Sequence, residues 1–582
     1  MDRTRLDTTR RDNTIRALSA REFDVLVVGG GVIGCGIALD ATARGLRTAL
    51  LEAQDIAGGT SSRSGKVVQG VLRFPERFDV GLVTETLRER DLQAEVLAPH
   101  LARPEPFLVP VRGGWQRSRV AGLAALHDLV RVGHRGVVPR HGHLGRRRAL
   151  AEAPGLRPWE LGGAVRYHDV SFDDARHTMA LARTAAGLGA TVATRVRVVG
   201  MLHRAGRVRG VRAYDAVGEA ELIVQAGVVV NATGVRADHL QGMAGSAHQV
   251  SVTPLKGVHL VLPGDAIDPG ANLMIRARDE ELLVRRWFGQ WLVGTPDALT
   301  GRQDRTENAL PDDPALPAEP IVTRRDIADV LGQLNTWLRR PIGHEDVIAT
   351  YAGLRPVVPA GPANAPAQPT RGRVIVEDPP GLITVVGGTY PAYRPIAAET
   401  VERAIWRLRR SGLPPSGTER LPLVGASGLA GIRASSAALA AETGLPTHWV
   451  ELLIRRYGAT VVELFDLIDQ RPELSEPLPG RTALAAEVVH AARAEGAMTL
   501  EDVLVRRTHV MLENRDAGLD AAAVAAGLLG AEFGWGDHEI DAELESYRSL
   551  IRADRAASRS WSDEEAIANY QAARGAAGHP RR

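Results

Sequence analysis

The sequence predicts an α/β protein in which a nucleotide-binding β-α-β unit opens the chain and an all-helical domain closes it. A buried strand, Val25–Val28, runs through a glycine turn into a helix, Ile33–Arg44, and then into a second strand, Thr48–Glu52. Beyond residue 428, apolar residues recur at three- and four-residue spacing, as in packed helices. A chain of 582 residues also exceeds what one hydrophobic core usually supports, so at least two domains are expected.

Composition excludes several classes of protein. Hydrophobic residues make up 44% of the chain, which is typical of a globular protein and not of a fibre or a disordered scaffold. The 71 basic residues nearly balance the 69 acidic ones, so the overall charge does not indicate a nucleic-acid-binding protein. Cys35 is the single cysteine, which excludes disulfides and cysteine-metal clusters and favours a reducing, cytoplasmic location. No apolar run reaches the roughly 20 residues of a membrane-spanning helix, although peripheral attachment to the inner face of the plasma membrane stays open.

The glycine turn has the features of a nucleotide site. Gly29, Gly31 and Gly34 have G-x-G-x-x-G spacing directly after a strand, which suits a tight turn, a close approach of pyrophosphate and close packing of the helix. Glu52 ends the next strand, where a carboxylate can accept hydrogen bonds from ribose hydroxyls. This combination favours a dinucleotide over a purely structural turn, and an acid in place of a base argues against a 2′-phosphate.

Three further segments favour FAD over NAD. The run "TSSRS" follows Glu52 where flavoproteins wrap the pyrophosphate, and "NATG" (231–234) and "GLITVVGG" (381–388) resemble their second and third cofactor contacts. The predicted cofactor-binding residues are Gly29, Gly31, Gly34, Glu52, Thr60, Ser61, Ser62, Val198, Ala232, Thr233, Gly234, Gly387, Gly388 and Thr389. We predict no metal site, because the histidines of "RHGHLGRRR" (140–148) lack acidic or cysteine partners nearby. That stretch is interpreted as a solvated basic loop, with contact to anionic lipid as an alternative.

Over about residues 22–550 the chain resembles the FAD-dependent glycerol-3-phosphate dehydrogenases of the respiratory, quinone-linked type. The resemblance rests on ordered motifs that include "TSSRS", "NATG", "LKGVHLVLP", "WLVGTPD", "YAGLRPV", "YRPIAAETV" and "TLEDVLVRRT". It implies a glutathione-reductase-like, amino-acid-oxidase-like FAD fold with an inserted mixed-sheet substrate domain and an all-α C-terminal domain. It also implies oxidation of sn-glycerol 3-phosphate to dihydroxyacetone phosphate, with electrons passed to a quinone.

The chain departs from the family pattern near the flavin. Gln69-Gly70-Val71 stands where the family has His-Gly-Gly, Leu255 replaces a serine, and Thr389 stands where the family has a lysine after Gly-Gly. Because the resemblance places that lysine beside flavin and substrate, two alternatives stay open. One is a same-fold FAD oxidoreductase acting on another polyol or hydroxy acid, and the other is a flavin-binding paralogue without turnover.

Alcohol oxidation needs a base for the hydroxyl proton and, for a phosphorylated substrate, cations. His259 is the predicted base, since an imidazole accepts protons near neutral pH and the resemblance places it by the substrate. Arg355, in "AGLRP", is predicted to bind phosphate or the developing ketone oxygen. The predicted substrate-binding set is Arg73, Lys256, Arg355 and Arg394. A structural ion pair is an equal alternative for Lys256, and Lys66 is an undecided candidate; these two are the only lysines.

The expected organisation has five parts, and a homodimer is a further open expectation. They are a polar arm (1–20), an FAD-binding and substrate region (21–408), a linker (409–428), a helical domain (429–557) and a polar tail (558–582). Within 21–408 the FAD-binding part is predicted at about 21–110, 165–250 and 345–408, and the substrate domain at about 111–164 and 251–344.

Overall fold

The computed structural model describes most of the chain. The described residues are 4–8, 11–68, 80–113, 118, 120, 122, 138–247, 250–268, 270–277, 280–295, 320–360, 368–370 and 372–575. Predicted site residue Arg73 and the departure at residues 69–71 lie outside them.

Eighteen strands are described, and they form two sheets. In chain order they are β1 Phe23–Val28, β2 Thr48–Leu51, β3 Val67–Val68, β4 Ala102–Val111, β5 Gly142–Gly145, β6 Gly163–Phe172, β7 Thr191–Ala193, β8 Val196–Arg204, β9 Arg207–Asp215, β10 Ala220–Asn231, β11 Thr253–Leu262, β12 Asn272–Ala277, β13 Glu280–Trp287, β14 Gln290–Gly294, β15 Ala349–Ala360, β16 Gln368–Thr370, β17 Arg373–Glu377 and β18 Leu382–Gly387.

The α-helices of the described residues are concentrated in the C-terminal third. They are α1 Arg11–Ala20, α2 Val32–Ala43, α3 Val80–Leu92, α4 Arg146–Glu152, α5 Asp174–Gly187, α6 Ala237–Met243, α7 Arg324–Asn335, α8 Tyr393–Leu408, α9 Leu429–Ala434, α10 Ser436–Thr443, α11 Thr447–Tyr457, α12 Val462–Gln470, α13 Ala485–Glu495, α14 Val510–Glu513, α15 Leu519–Phe533, α16 Asp537–Ala557 and α17 Asp563–Gly575.

The first sheet is the nucleotide-binding sheet. Its strand order is β17-β18-β10-β1-β2-β7, with the β8–β9 hairpin attached to β10. β1 pairs in parallel with β2 on one side and with β10 on the other, so the chain reverses its direction of travel across the sheet at β1. In parallel sheets, ligands bind at such a switch point, beyond the carboxyl ends of the strands. The predicted β-α-β unit and the FAD fold class are confirmed.

The second sheet is mixed, with order β16-β15-β11-β14-β13-β12-β4-β6-β3 and β5 paired to β6. It includes five strands that the predicted boundaries at residues 111, 165 and 345 assigned wholly or mostly to the FAD-binding part, namely β3, β4, β6, β15 and β16. These strands pair along their lengths with one another or with β11, and not with the nucleotide-binding sheet. Alternating hydrophobic residues predict a strand but do not show which sheet the strand will join. The predicted boundaries between the FAD-binding part and the substrate domain therefore differ from the division between the two sheets.

The C-terminal helices pack around two apolar clusters, one centred on α11 and α12 and the other on α13, α15 and α16. Buried ion pairs join this region to the nucleotide-binding part. Asp55, after β2, accepts from Arg506 at 2.7 Å and from Arg507 at 2.7 and 2.8 Å. All three side chains are nearly inaccessible to solvent.

The termini and the linker are more ordered than the sequence predicted. In the expected polar arm, α1 buries Leu18, and Arg11 pairs with Asp215 at 2.5 Å. In the predicted linker, the carbonyl oxygen of Pro414 accepts from Arg44 at 2.8 Å. The predicted polar tail contains α17, which packs on α16. These polar segments still pack on the rest of the protein, because each forms a few specific contacts: a buried leucine, an ion pair, a hydrogen bond or helix packing.

We expect Asp55→Asn to destabilise the protein strongly, because it removes a buried carboxylate that two buried guanidinium groups share. Removing one partner from a buried pair costs about 3–5 kcal/mol of unfolding free energy. The measurement is the urea midpoint of the purified protein. The matched control is Glu545→Gln, which breaks the exposed pair of Glu545 with Arg552 and should cost less than about 1 kcal/mol. Equal effects of the two variants would contradict the prediction.

Candidate active site

Four loops meet at the carboxyl edge of the nucleotide-binding sheet. The glycine turn follows β1, Glu52 follows β2, residues 232–234 follow β10, and Gly387 ends β18. The strands are parallel neighbours, so these loops lie along a single edge. The backbone N–H of Ala232 donates to the carbonyl oxygen of Val28 at 2.9 Å, which ties two of the loops together. The structure thereby assembles segments that are up to 350 residues apart along the chain.

The glycine turn is packed too closely for side chains. A Cβ at Gly29 would lie 2.5 Å from the carbonyl oxygen of Ala232, and its φ of +112° favours glycine. A Cβ at Gly34 would lie 1.9 Å from the carbonyl oxygen of Gly29. Gly31 is the N-cap of α2, so the N-terminus of this helix lies at the turn. An anion can therefore approach the backbone at the positive end of α2, which fits the pyrophosphate of FAD.

Glu52 is fixed by two backbone groups beside this turn. Its carboxylate accepts from the N–H of Gly30 at 2.6 Å and from the N–H of Gln54 at 2.8 Å. Burial raises the pKa of Glu52, and the two N–H groups oppose that rise. β8 starts alongside, since the N–H of Val196 donates to the Glu52 carbonyl oxygen at 2.9 Å, and Val198 is buried two residues later.

Hydroxyl-bearing residues line two of the other cofactor loops. Ser61 accepts from the N–H of Val32, the first residue of α2, at 2.9 Å. The Thr233 hydroxyl donates to the side-chain oxygen of Asn231 at 2.7 Å, which closes the "NATG" turn. The Ser62 hydroxyl donates to the carbonyl oxygen of Gly59 at 3.3 Å.

The third contact lies where β18 leads to α8. Gly387 and Gly388 have φ values of +83° and +82°, which only glycine adopts easily. Thr389 follows, and its buried Oγ1 has no hydrogen-bond partner among the residues that the structure describes. A buried hydroxyl without a partner is costly, so a polar ligand group at this point would satisfy it. This orphaned atom and the glycine cradle fit the FAD site that the sequence predicts.

A pair of glycines lets segment 60–66 lie directly on the second sheet. Gly257 of β11 lies opposite Gly353 of β15, and a Cβ at Gly353 would be 2.6 Å from the carbonyl oxygen of Arg63. The Thr60 hydroxyl donates to the carbonyl oxygen of Leu354 at 2.5 Å. The cofactor loop is therefore seated on the sheet that carries the candidate catalytic residues.

His259 lies under this segment. Its ring stacks on Tyr351 of β15, with centroids 4.8 Å apart and planes 10° from parallel, and a Cβ at Gly65 would lie 3.4 Å from Nε2. Both ring nitrogens are buried, and within the described residues neither has a hydrogen-bond partner. Burial, assisted by the charge of Lys66, lowers the pKa of His259 to about 3. The imidazole is therefore neutral at physiological pH and has two polar atoms to offer a ligand.

Arg355 lies on the same face of the sheet as His259. Directly opposite residues in an antiparallel pair share a face, and Tyr351, Gly353 and Arg355 alternate onto it along β15. Arg355 is half-buried, and burial lowers the pKa of its guanidinium, which increases what the group gains from an anionic partner.

Two predicted substrate-binding residues are not brought to this face. Lys256 is three residues from His259 on one strand, so its side chain points to the opposite face. There its ammonium lies 2.8 Å from Asp326 and 2.9 Å from Asp563. The Arg394 guanidinium pairs with Glu89 at 2.5 Å. For both residues the structure corrects the prediction and shows a structural ion pair.

Two further residues surround His259: Tyr351, which was not predicted, and Lys66, which was an undecided candidate. Tyr351 supplies the stacking ring, and its hydroxyl donates to the Ser64 carbonyl oxygen at 2.7 Å. Lys66 is 1% exposed, and its ammonium binds the carboxylate of Asp174 at 2.5 Å. The scarcity of lysine marked Lys66 as a candidate, but nothing in the sequence pairs it with a residue 108 positions away.

Among the helices that the structure describes, none combines the length and apolarity needed to cross a bilayer. Nor does the described part of the chain contain a group of three or more histidine, cysteine or acidic side chains arranged to hold a metal ion.

Comparisons with known proteins agree with this geometry. The family model described as FAD dependent oxidoreductase matches residues 24–398, and the model of the C-terminal domain of alpha-glycerophosphate oxidase matches residues 416–540. The first match covers the two sheets, and the second covers most of the helical region. FAD is therefore the cofactor of this site.

Similar proteins match across nearly the whole chain. Glycerol-3-phosphate dehydrogenase 2 of Mycobacterium tuberculosis is 38% identical over 543 residues, which are 93% of this chain and 90% of the relative. The human mitochondrial glycerol-3-phosphate dehydrogenase is 32% identical over 557 residues, 91% of this chain and 73% of the relative. A glycerol-3-phosphate dehydrogenase of Bacillus halodurans, solved in complex with FAD, superposes with a TM-score of 0.74 at 25% identity, covering 94% of this chain and 98% of that one. The chain belongs to the FAD-dependent glycerol-3-phosphate dehydrogenase family.

Proposed function

We propose that this enzyme oxidises sn-glycerol 3-phosphate to dihydroxyacetone phosphate and passes the electrons through FAD to a quinone. The observation that carries the proposal is the buried, neutral imidazole of His259 on the face that also bears Arg355. The names of the relatives support the substrate, and the resemblance to respiratory enzymes supports the quinone. The predicted cofactor residues at the carboxyl edge would hold the dinucleotide, and Val198 would contribute an apolar contact beside Glu52.

The proposed chemistry divides between cofactor and protein. Bound FAD supplies an acceptor for the two electrons of the alcohol carbon. His259 accepts the hydroxyl proton at Nε2, the ring nitrogen that lies toward Gly65 and segment 60–66. Because the imidazole is already neutral, it can accept this proton without first being deprotonated. The stacked Tyr351 ring keeps the imidazole plane fixed.

Arg355 would bind the substrate's phosphate. A guanidinium offers several donors in a fixed plane and stays charged when partly buried, which suits a phosphate dianion. Arg355 is the described member of the predicted set that shares a face with His259, so we assign it this role, and Arg73 would assist. Gly257 and Gly353 lie between Arg355 and His259 on this face, and the carbonyl oxygen of Arg63 packs against Gly353.

One observation favours a second candidate, an FAD oxidoreductase for a different polyol or hydroxy acid. Thr389 puts a neutral hydroxyl at the third cofactor contact, where the resemblance implies a lysine. A site with one cation fewer binds a phosphate dianion less tightly. The binding affinity of an uncharged or singly charged substrate would fall less.

We also propose peripheral contact with anionic lipid. Trp159 is 69% exposed, and α4 lies against it, since Arg146 donates to the Pro158 carbonyl oxygen at 2.8 Å. The exposed arginines of this surface are Arg140, Arg146, Arg147 and Arg148. An exposed indole next to a helix that carries three exposed arginines fits the headgroup region of a negatively charged bilayer.

The substrate is tested by anaerobic bleaching of the bound flavin. We expect glycerol 3-phosphate to bleach the flavin absorbance and glycerol to leave it unchanged, because glycerol has no phosphate for Arg355. Arg355→Met should raise the KM for glycerol 3-phosphate about 10- to 150-fold, the equivalent of a charged hydrogen bond of about 1.5–3 kcal/mol. Bleaching by another alcohol alone would select the second candidate, and bleaching by none would indicate a paralogue without turnover.

The role of His259 is tested by His259→Gln. Loss of a general base lowers the rate by about 10²- to 10⁴-fold, and we expect that loss in the rate constant of anaerobic flavin reduction. FAD content should stay at the wild-type level, since His259 is not among the predicted cofactor residues. The exposed His203, changed to Gln, is the matched control. A reduction rate within a factor of three of wild type in His259→Gln would exclude the histidine as base.

The lipid contact is tested by co-sedimentation with vesicles. Vesicles containing phosphatidylglycerol should retain the protein at low ionic strength and release it as salt rises, because exposed charges are screened. Trp159→Ser combined with Arg147→Gln should weaken retention several-fold, with Trp406→Ser, an equally exposed indole elsewhere, as control. Equal retention on neutral phosphatidylcholine vesicles would contradict an electrostatic contact.

A further inference from the structure

We propose that Lys66 is a positioning residue of the active site: its ammonium, clamped by Asp174, holds segment 60–66 against His259 and keeps that imidazole neutral. The inference rests on the proposed function and deepens it. It assigns control of the protonation state of His259 to Lys66, a residue outside the predicted catalytic and binding set.

Both the backbone and the side chain of Lys66 are closely constrained. It has a φ of +56°, in the left-handed region that favours glycine, although its side chain is one of the largest fully buried in the protein. Its ammonium donates to the Asp174 carboxylate and to the Ser62 carbonyl oxygen, each at 2.5 Å. A strained backbone and a buried ion pair at one residue indicate that the surrounding structure fixes this position closely.

The ammonium and the imidazole share an aromatic neighbour. The Lys66 Nζ lies 5.6 Å from the centre of the Tyr351 ring and 5.9 Å from that of Trp287. His259 stacks on the same Tyr351 ring, and Gly65, next to Lys66, faces the Nε2 atom. The positive charge of Lys66 is thus part of the immediate surroundings of His259.

The charged and titratable groups around this pair come from four elements. They are Asp173 and Asp174 of α5, Arg285 of β13, Tyr351 of β15 and His259 of β11. Asp174 is bound to Lys66, Asp173 to His509, and Arg285 donates to the Lys66 carbonyl oxygen. Burial and then Lys66 are the causes that lower the pKa of His259. Protonation of His259 would place a second cation beside the ammonium, and this is the repulsion on which the proposal depends.

A purely structural role for Lys66 makes a different prediction. If the ion pair only anchored segment 60–66, a neutral side chain of similar length that preserved the fold would leave the protonation of His259 unchanged. The protonation state of this one imidazole is therefore the readout that separates positioning from anchoring.

The experiment follows histidine ring resonances of the full-length FAD-loaded protein, labelled with ¹³C at histidine, as pH falls. The signal missing from His259→Gln identifies His259. In the wild type it should stay neutral throughout the folded range. In Lys66→Met the imidazolium form should appear at a higher pH than in the wild type, because the charge of Lys66 is gone while burial, the larger cause of the low pKa, remains. Lys66→Arg, which keeps the charge, should restore the wild-type behaviour.

A His259 signal that stays neutral in Lys66→Met as it does in the wild type overturns the inference. If Lys66→Met does not fold, Lys66→Gln, which can still donate to the Ser62 carbonyl oxygen, is measured in the same way. The readout needs no substrate, so it is independent of the proposed function. A wild type that glycerol 3-phosphate cannot reduce, with the titration shift present, would reject the proposed function and leave this inference standing.

Discussion

Two adjacent carboxylates at the start of α5 join the three parts of the molecule that make the active site. Asp174 binds Lys66 and the N–H of Ser64, which fixes the cofactor loop, while α5 itself packs on α2 behind the glycine turn. Asp173 caps α5 and accepts from His509 of the helical region at 2.9 Å. The helical region is thereby tied to the same point that positions the base. In the Asp173–His509 pair, the nearby cations hold the pKa of Asp173 well below its usual range.

The cofactor edge could be predicted from the sequence because each of its elements is local. A turn after β1, an acid at the end of β2 and a glycine pair at the end of β18 can each be recognised within a few residues. Parallel pairing then brings them to one edge whatever the loops between them do. Fold class and cofactor depended only on these local signals and on the helical periodicity of the C-terminal third, and both were predicted correctly.

The substrate side could not be predicted in the same way, because it depends on pairing between distant segments. "LKGVH" places a lysine and a histidine in one motif, yet the alternation of a strand sends them to opposite faces, where Lys256 meets Asp326 and Asp563. Likewise, Arg394 lies close to the third cofactor contact in sequence but is turned towards Glu89 of α3. None of these three acids is identifiable from the motifs, since all of them belong to helices elsewhere in the chain.

The chain uses arginine almost everywhere, yet its two lysines occupy buried positions beside carboxylates. An ammonium is a compact point charge with three donors, whereas a guanidinium is a plane with five that must all be satisfied when buried. Around Lys66, one carboxylate, one carbonyl oxygen and two aromatic faces meet that smaller demand. Nearby, Arg285 needs the Lys66 carbonyl oxygen, Ser171 and Glu105. An ammonium therefore suits this position beside a stacked imidazole, because it needs fewer partners than a guanidinium, even in a chain whose composition otherwise avoids lysine.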